Sequence, residues 1–315
     1  MVRYARLLAL SLFAPLALAS CTAQSPAPVL SQAVGEALLA YDRALPLDAE
    51  VKEKSLEDGV RLLSVTYSST HGERVPALLA VPAEAKSPLP CVVLMHGLGG
   101  SKDGMKPFWV ELTKAGYACF AIDAKFHGER PKGPGGQALL LYPYSGRDAL
   151  AQTVVDLRRG LDFLQTRDEI DTKRIGYAGV SMGAILGSIT AGVDDRIAAV
   201  VLIVGGGDWN VLLEKSLLSL AGDKNLKDKT VRAPVVTALD PLDPVHWVGR
   251  ISPRPVLMIN GDLDNIVPVE ANKALHAAAK EPKKVVWYSG GHFAPPDLVR
   301  RELLAWFADH LNGKP

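Results

Sequence analysis

Residues 179–183, Gly-Val-Ser-Met-Gly, are the stretch that decides the fold of this chain. They place Ser181 in the pattern G-x-S-x-G, after an apolar run at residues 174–178 (RIGYA) and before a helix-like run at residues 183–187 (GAILG). On a sharp turn from strand to helix, this pattern exposes a serine hydroxyl as a nucleophile. Glycine is needed on both sides because a Cβ there would collide with the neighbouring strand or helix. The backbone N–H groups that begin the helix would then face a reacting carbonyl.

The motif is short enough to occur by chance, so its structural context determines its weight. From about residue 58 the chain alternates short β-branched runs with helical patterns. This alternation predicts an α/β fold: a mostly parallel, twisted sheet of about eight strands with helices on both faces. The strands are predicted at residues 60–68, 74–81, 91–96, 117–123, 174–181, 197–204, 255–260 and 284–289. The first two are expected to form an antiparallel pair.

The clearest helix is predicted between residues 147 and 166, where one apolar stripe recurs at the spacing of an α-helix. The stripe consists of Leu150, Val154, Leu157, Leu161 and Leu164. The last helix is expected to begin near Pro296, because proline is favoured in the first turn of a helix.

Two stretches interrupt the alternation of strands and helices. Residues 125–145 are rich in glycine and proline, and residues 205–251 hold one apolar helix candidate (211–220) followed by a charged run (223–229). Both follow strands, so both are expected at the carboxyl edge of the sheet, where α/β proteins bind ligands. We interpret them as substrate-pocket loops and, for residues 205–251, a small lid inserted into a single domain of residues 31–315.

A nucleophilic serine needs a base to take its proton and an acid to orient that base. His292 is the candidate base, because it follows the last predicted strand and two glycines and comes last in the order Ser, Asp, His. Two candidate acids, Asp264 and Asp262, follow the strand at residues 255–260. Asp208, after the preceding strand, is a more distant alternative.

Two backbone N–H groups are expected to form an oxyanion hole for the tetrahedral intermediate. One belongs to Met182, directly after the serine, and the other to Leu98, in the loop HGLGG that follows the first parallel strand. His96 begins that loop, and its position favours a structural role over that of a second base.

Aromatic residues near the predicted carboxyl edge indicate a mostly apolar pocket suited to small acyl or aryl esters. Trp209 is a candidate pocket residue at the start of the lid. His127, in the sequence His127-Gly128-Glu129-Arg130, either lines the pocket or stabilises its own loop, and both interpretations stay open. Glu129 and the nearby Asp123 are expected to hold this loop.

The first twenty residues are predicted to be a lipoprotein signal peptide, with Arg3 and Arg6 before a short apolar core. The core ends in Leu18-Ala19-Ser20-Cys21, which resembles the bacterial lipobox and implies lipidation of Cys21 after cleavage. Residues 21–30 would then be a tether to an extracytoplasmic membrane surface, the outer membrane in a two-membraned host. The alternative is an ordinary signal peptide cut after Ala19 or Ser20.

Composition narrows the function classes further. The net charge is +1, and no basic cluster with interleaved aromatic residues is present, so nucleic-acid binding is not expected. The seven histidines and three cysteines show no metal-site spacing, so no metal is expected. Cys91 and Cys119 are predicted to be buried reduced thiols, with a disulfide as the less favoured alternative.

From about residue 60 to residue 311 the chain resembles the α/β-hydrolase superfamily, and within it dienelactone hydrolases, acetyl-esterases and the catalytic domains of prolyl-oligopeptidase-like peptidases. The resemblance rests on ordered motifs: HGLGG (96–100), Asp123 with HGER (127–130), DTKRIG (171–176), GVSMG (179–183), PRPVL (253–257) and Gly291-His292. The family spacing G-x-x-D-x-x-V-P, at residues 261–268, selects Asp264 over Asp262 as the orienting acid. Dienelactone hydrolases use a cysteine nucleophile, so Ser181 indicates an ester or amide hydrolase instead.

The resemblance implies a serine hydrolase that cleaves small to medium carboxylic esters through an acyl-enzyme. Such an enzyme needs a small-molecule ester and water, and no cofactor or metal. Two alternatives use the same triad: an acyltransferase, and a hydrolase of small peptides or amides. An alternative of another class is a non-catalytic binding lipoprotein on a hydrolase fold.

Overall fold

A nine-stranded sheet runs through the centre of the protein. The computed structural model describes residues 27–312, apart from residues 58, 86–87 and 132–141 and the side chains of residues 27–30 and 220. In chain order the strands are β1 (Glu50–Glu57), β2 (Val60–Ser68), β3 (Arg74–Pro82), β4 (Leu89–Met95), β5 (Ala118–Ile122), β6 (Ile170–Val180), β7 (Ile197–Ile203), β8 (Val256–Gly261) and β9 (Lys283–Tyr288). Across the sheet their order is β1-β2-β3-β5-β4-β6-β7-β8-β9.

The direction of the strands brings the candidate residues to one edge of the sheet. β1, β2, β3 and β5 pair antiparallel, whereas β5, β4, β6, β7, β8 and β9 pair parallel. The carboxyl ends of parallel strands meet at the same edge, and ligands of α/β proteins bind there. The loops after β4, β6, β7, β8 and β9 therefore converge, and these loops carry the residues that the sequence singled out.

The predicted fold class is confirmed, with one strand more than expected. The eight predicted strands are β2–β9, with ends that differ from the predictions by a few residues. The additional strand, β1, has the sequence EVKEKSLE and is exposed along nearly its whole length. It lies at the edge of the sheet and pairs with β2 alone. A charged edge strand lacks the apolar alternation by which strands are predicted, and its charges discourage pairing with other chains.

Ten α-helices lie within the described residues, and they cover both faces of the sheet. They are α1 (Ala27–Leu39), α2 (Lys106–Lys114), α3 (Pro143–Leu164), α4 (Met182–Val193), α5 (Trp209–Lys215), α6 (Leu217–Gly222), α7 (Lys229–Leu239), α8 (Pro244–Trp247), α9 (Val269–Ala278) and α10 (Pro296–Leu311). Helix α10 begins at Pro296, as predicted. Helix α3 begins at Pro143, a turn before the predicted start, because proline is also accepted at its first position.

Strand β4 shows how the sheet separates two apolar cores. Its residues Cys91, Val93 and Met95 face a core shared with α3 and α4, while Val92 and Leu94 face a core shared with α2 and α10. This alternation is the period of two expected of a strand buried on both faces. Cys91 is a free thiol, and so is Cys119 on β5; both are buried, as predicted. Burial raises the pKa of both thiols, so they remain protonated.

Helix α1 begins at Ala27, within the residues 21–30 that the sequence predicts to be a tether. The signal peptide and Cys21 lie outside the described residues. No helix in the described part of the chain is both long and apolar enough to cross a bilayer.

The predicted lid, residues 205–251, contains four short helices, α5–α8, where the sequence indicated one. The helix predicted at residues 211–220 is broken at Ser216, whose backbone is extended and whose hydroxyl accepts from Ser219 N to cap α6. Asp228 and Asp243 cap α7 and α8 in the same way. The lid is joined to the loop after β8, since Ser216 Oγ donates to Ile266 O and Leu217 N donates to Asn265 O.

A chain of buried amides holds the first residue of the lid, Gly205, shortly after the end of β7. Asn260 Nδ2 and Asn272 Nδ2 both donate to Gly205 O, at 3.0 and 2.8 Å. His276 Nε2 donates in turn to Asn260 Oδ1, at 2.9 Å. Burial, together with the charge of Lys283, lowers the pKa of His276 to about 4, so the imidazole is neutral at pH 7.

This pKa predicts an acid-sensitive contribution of His276 to stability. The folded pKa is about 4, and the unfolded value is about 6.5. Between these values the unfolded chain binds more protons, so stability falls as the pH falls. The quantity to measure is the free energy of unfolding in urea at pH 7 and at pH 4.5. On going to pH 4.5, we expect this free energy to fall by about 1–2 kcal/mol more in wild type than in His276→Gln, because glutamine still donates to Asn260 but does not titrate. An equal fall of the unfolding free energy in the two proteins would show that protonation of His276 does not destabilise the fold.

Candidate active site

Ser181 occupies a strained turn between β6 and α4. Its φ is 56° and its ψ is −115°, in a region that serine rarely adopts. A Cβ on Gly179 would collide with Gly183 O, and a Cβ on Gly183 would collide with Met95 O. Ser181 N donates to Ile203 O at 2.8 Å, which ties the turn to the neighbouring strand. Glycine on both sides therefore lets the turn close and present the serine hydroxyl at the edge of the sheet.

A chain of hydrogen bonds joins Ser181, His292 and Asp264. Ser181 Oγ lies 2.9 Å from His292 Nε2, and His292 Nδ1 lies 2.8 Å from Asp264 Oδ2. Since Nδ1 faces a carboxylate, it carries the ring proton, and Nε2 is left to accept from the serine hydroxyl. The structure thus brings together three residues that are far apart in the sequence, in the arrangement expected of a nucleophile, its base and an orienting acid.

Asp264 is held in place by its own loop. Its side chain is 0% exposed, and its Oδ1 accepts from Ile266 N at 2.9 Å and Val267 N at 3.0 Å. These bonds leave Oδ2 for His292. Donors aimed at both oxygens stabilise the ionised carboxylate in a buried position, which offsets much of the cost of its desolvation.

The two rival acids have other partners. Asp262 Oδ1 accepts from Gly290 N at 2.9 Å, and Asp208 Oδ1 caps helix α5 at Val211 N. Asp262 therefore supports the loop that carries His292, because Gly290 lies two residues before that histidine. Of the three aspartates, only Asp264 contacts His292 among the described hydrogen bonds.

Tyr288 at the end of β9 also supports the His292 loop. Burial and the neighbouring carboxylates of Asp264 and Asp262 raise its pKa to about 12. Its hydroxyl is therefore protonated at neutral pH, and it donates to Gly291 O at 2.6 Å. Gly291, which directly precedes His292, is thus held through its carbonyl oxygen.

The two candidate oxyanion donors lie beside Ser181. Leu98 and Met182 line the same cavity as Ser181, and an ideal Cβ on Gly97 would lie 3.4 Å from Ser181 Cβ. Neither the Leu98 nor the Met182 N–H donates to another described backbone or side-chain atom. Two unpaired backbone donors next to a nucleophile are what an oxyanion hole requires.

His96 supports the loop that carries Leu98, as the sequence favoured. Its Nδ1 donates to Gly97 O at 2.7 Å, and its Nε2 accepts from Ala124 N at 3.2 Å. Burial lowers its pKa, in agreement with a neutral ring. Both ring nitrogens are occupied by the backbone, so His96 does not act as a second base.

Asp123 organises the loop after β5. Its carboxylate accepts from Lys102 N, Lys102 Nζ and Glu129 N at 2.8–2.9 Å. Although burial opposes its charge, the hydrogen bonds to Glu129 and Asp123 raise the pKa of Lys102, so this cluster is an ion pair. Glu129 therefore has the structural role that the sequence favoured, with Lys102 as its partner.

His127 lies outside the cavity that contains Ser181. Its Nδ1 donates to Lys125 O at 2.8 Å, and its ring packs 5.2 Å from the ring of His96. The side chain is buried under its own loop and is not among the described residues that line the cavity. Of the two open interpretations, the geometry favours support of the loop over contact with substrate.

A cavity of about 120 Å³ adjoins the serine. Its described lining comes from the oxyanion loop, α3, α4, the lid and the loop after β8: Leu98, Gly146, Leu150, Ser181, Met182, Ile185, Trp209, Leu212, Leu213, Ser216, Leu218, Ser219, Leu239, Ile266 and Val267. Trp209 lines this cavity, where the sequence placed it. The walls are mostly aliphatic, and no lysine, arginine or histidine is among these residues.

Asp243 fixes Trp209 against this cavity, a role that the sequence did not reveal. Its Oδ1 accepts from Asp208 N and Val245 N, and its Oδ2 accepts from Trp209 N at 2.7 Å. Burial raises the pKa of Asp243 despite these three donors. The signal in the sequence is an aspartate directly before Pro244, which is typical of a helix N-cap.

Comparisons with known proteins show which families and structures the chain resembles. The acetyl xylan esterase (AXE1) family model matches residues 31–206, and the prolyl oligopeptidase family model matches residues 131–314. The putative hydrolase YtaP of Bacillus subtilis (strain 168) is 28% identical over 252 residues, which cover 73% of this chain and 81% of YtaP.

Two solved structures show the same fold. An acetyl xylan esterase from Paenibacillus sp. R4 superposes with a TM-score of 0.75 at 24% identity, over 90% of this chain and 94% of that one. Acetyl xylan esterase 1 from Thermoanaerobacterium sp. JW/SL YS485 gives a TM-score of 0.74 at 19% identity, over 88% and 93% of the two chains. Since each family model matches more than half of the sequence, the chain belongs to the acetyl xylan esterase (AXE1) and prolyl oligopeptidase families of α/β-hydrolases, and it is a hydrolase that acts on esters.

Proposed function

We propose that the protein is a serine carboxylesterase that works through an acyl-enzyme. Ser181 is the nucleophile, His292 the general base and then acid, and Asp264 the residue that orients His292. The observation that carries the proposal is the chain of hydrogen bonds from Asp264 through His292 to Ser181, at 2.8 and 2.9 Å. A hydroxyl held in this way is activated by its base as soon as an ester carbonyl reaches it.

The reaction follows from the protons that these residues can move. Ser181 Oγ attacks the acyl carbon while its proton passes to His292 Nε2, and the oxyanion accepts from the N–H groups of Met182 and Leu98. Collapse of the intermediate breaks the bond to the alcohol oxygen, which takes the proton from Nε2. Water then attacks the acyl-enzyme, gives a proton to Nε2 and releases the acid as Ser181 recovers its proton. Each transfer uses a group of the chain, the substrate or water, so the mechanism calls for no cofactor.

The size of the cavity supports short acyl groups. Its volume of about 120 Å³ is well below the roughly 300 Å³ of the smallest pockets that enclose drug-sized ligands. Its mostly aliphatic walls favour a neutral acyl chain of a few carbon atoms. Acetyl esters, which the family name also suggests, belong to this class.

We also propose that Cys21 is lipidated and anchors the protein to a bacterial membrane on the extracytoplasmic side. The support is the sequence Leu18-Ala19-Ser20-Cys21 after a short apolar core. Three acyl chains on one cysteine would give stable attachment, since a single chain binds membranes only marginally.

Replacement of the two neighbouring aspartates tests the assignment of the orienting acid. Asp264→Asn should lower kcat for p-nitrophenyl acetate by about 10³–10⁴-fold, because an amide favours the wrong imidazole tautomer. Asp262→Asn is the matched control, and we expect a change of less than about tenfold, because its amide oxygen can still accept from Gly290 N. A larger loss in Asp262→Asn than in Asp264→Asn would contradict the assignment.

Metabolic labelling tests the lipid anchor. In a bacterium that processes lipoproteins, wild type should incorporate labelled palmitate, and Cys21→Ser should incorporate none, because serine offers no thiol to the acylating enzymes. If wild type carries no label and its mature N-terminus is not Cys21, the alternative prediction of an ordinary signal peptide is correct.

A further inference from the structure

A second, larger cavity lies beside His292. Its volume is about 620 Å³, and its described walls come from α2, α10, the residues that follow His292 and the ends of β6 and β7. The most buried residues of its wall are apolar: Ile203, Val204, Val299 and Leu303 are each at most 7% exposed. A short acyl group needs only the cavity of about 120 Å³ beside Ser181, so this larger space is left for another part of a substrate.

The two cavities lie on opposite faces of the sheet. Ile185 lines the smaller cavity and belongs to the core shared with α3 and α4. Ile203 and Leu303 line the larger cavity and belong to the core shared with α2 and α10. Ser181 lines the smaller cavity and His292 the larger one, and a hydrogen bond of 2.9 Å joins Ser181 Oγ to His292 Nε2. An ester bound to Ser181 therefore has one cavity on each side.

The geometry of the tetrahedral intermediate decides which part of an ester extends to which side. Its central carbon carries Ser181 Oγ, the oxyanion, the acyl chain and the alcohol oxygen. In the proposed reaction the oxyanion faces the N–H groups of Met182 and Leu98, and both residues line the smaller cavity. The alcohol oxygen leaves with a proton from His292 Nε2, so it lies on the side of His292. The alcohol part of the ester therefore points towards the larger cavity.

The charged residues of the larger cavity reach into water. Lys106, Asp297 and Arg300 are exposed, and Asp297 pairs with Arg300 at 3.8 Å. Glu111 pairs with Lys114 at 3.7 Å. The buried part of the wall is aliphatic, so it offers no hydrogen bonds to the hydroxyl groups of a sugar. The volume suits a small organic group, since pockets for such ligands measure roughly 300–1,000 Å³.

Phe293 adds an exposed apolar surface to this cavity. The residue lines the cavity and is 92% exposed, and the centres of its ring and the ring of His292 lie 5.9 Å apart. Removal of apolar surface from water is favourable, and the fold leaves the surface of Phe293 in water. An apolar group bound next to His292 would cover this ring.

We propose that the substrates are short-chain esters of large apolar alcohols, and that the alkyl or aryl part of the alcohol binds in the larger cavity against Phe293. The smaller cavity limits the acyl group, and the larger one selects the alcohol. The proposal rests on the proposed function, since the alcohol lies beside His292 only if His292 protonates it.

Two isomeric esters test the proposal on the full-length protein. Hexyl acetate and ethyl hexanoate have the same atoms, but hexyl acetate carries its long chain on the alcohol and ethyl hexanoate carries it on the acid. The quantity measured is the ratio of kcat/KM for hexyl acetate to that for ethyl hexanoate, divided by the ratio of their hydroxide-catalysed rates. We expect a ratio of at least about ten in wild type, because each buried methylene contributes up to roughly fourfold.

Two variants assign this preference to the larger cavity. Val110→Trp places a bulky side chain in its wall on α2, and Phe293→Ser removes the exposed ring. We expect the ratio to fall about fivefold in Val110→Trp and about threefold in Phe293→Ser, while kcat/KM for ethyl acetate stays within about twofold of wild type. Val34→Trp is the matched control, since Val34 is exposed on α1 and is not among the described residues of either cavity. Its ratio should equal that of wild type.

The outcomes separate this proposal from the proposed function. A wild-type ratio near one or below it, with both esters hydrolysed, would overturn the alcohol preference and leave the esterase intact. A high ratio that neither Val110→Trp nor Phe293→Ser lowers would overturn the assignment to this cavity. A ratio near one, together with a dimer in solution that Phe293→Ser disrupts, would show that a second copy of the chain covers the cavity instead. Wild type that hydrolyses neither ester nor ethyl acetate would overturn both proposals.

Discussion

The left-handed backbone of Ser181 is the constraint on which the site depends. This conformation turns the chain from β6 into α4 so sharply that the hydroxyl projects from the edge of the sheet. It is possible because glycines flank the serine where carbonyl oxygens approach on both sides. The same turn leaves Met182 N–H, at the start of α4, beside the serine. The strain in one residue thus places the proposed nucleophile and one donor of the proposed oxyanion hole together.

Buried carboxylates with backbone N–H partners hold the loops around this turn. Asp264 binds the N–H groups of its own loop and His292, Asp123 binds the loop after β5, and Asp243 binds the start of the lid. Each carboxylate sits where a strand or helix ends and backbone donors are left over. Charge-assisted hydrogen bonds therefore help to fix the loops at the carboxyl edge. A site arranged before substrate arrives needs little reorganisation during the reaction.

The sequence predicted the parts of the molecule that leave a local pattern. Strands β2–β9 have apolar runs, and the glycines around Ser181 and before His292 mark turns, so the sheet could be inferred, and so could the three residues of the proposed triad. Strand β1 could not be inferred, because its residues are mostly charged and exposed to water. Only its pairing with β2 makes it a strand. The break at Ser216 depends on a hydrogen bond to the distant Ile266, and the direction of the His127 side chain depends on a hydrogen bond to Lys125 in its own loop. The periodicity of the sequence reveals neither bond.

The central claim is that Ser181 is an activated nucleophile. Incubation with a fluorophosphonate probe, followed by intact-mass and peptide analysis, tests it most directly, because the probe bonds only to a serine whose proton has an acceptor. The account predicts a single adduct on wild type at Ser181, none on Ser181→Ala, and a greatly slowed reaction with His292→Ala. Wild type that stays unmodified, or Ser181→Ala that is modified as fast as wild type, would contradict it.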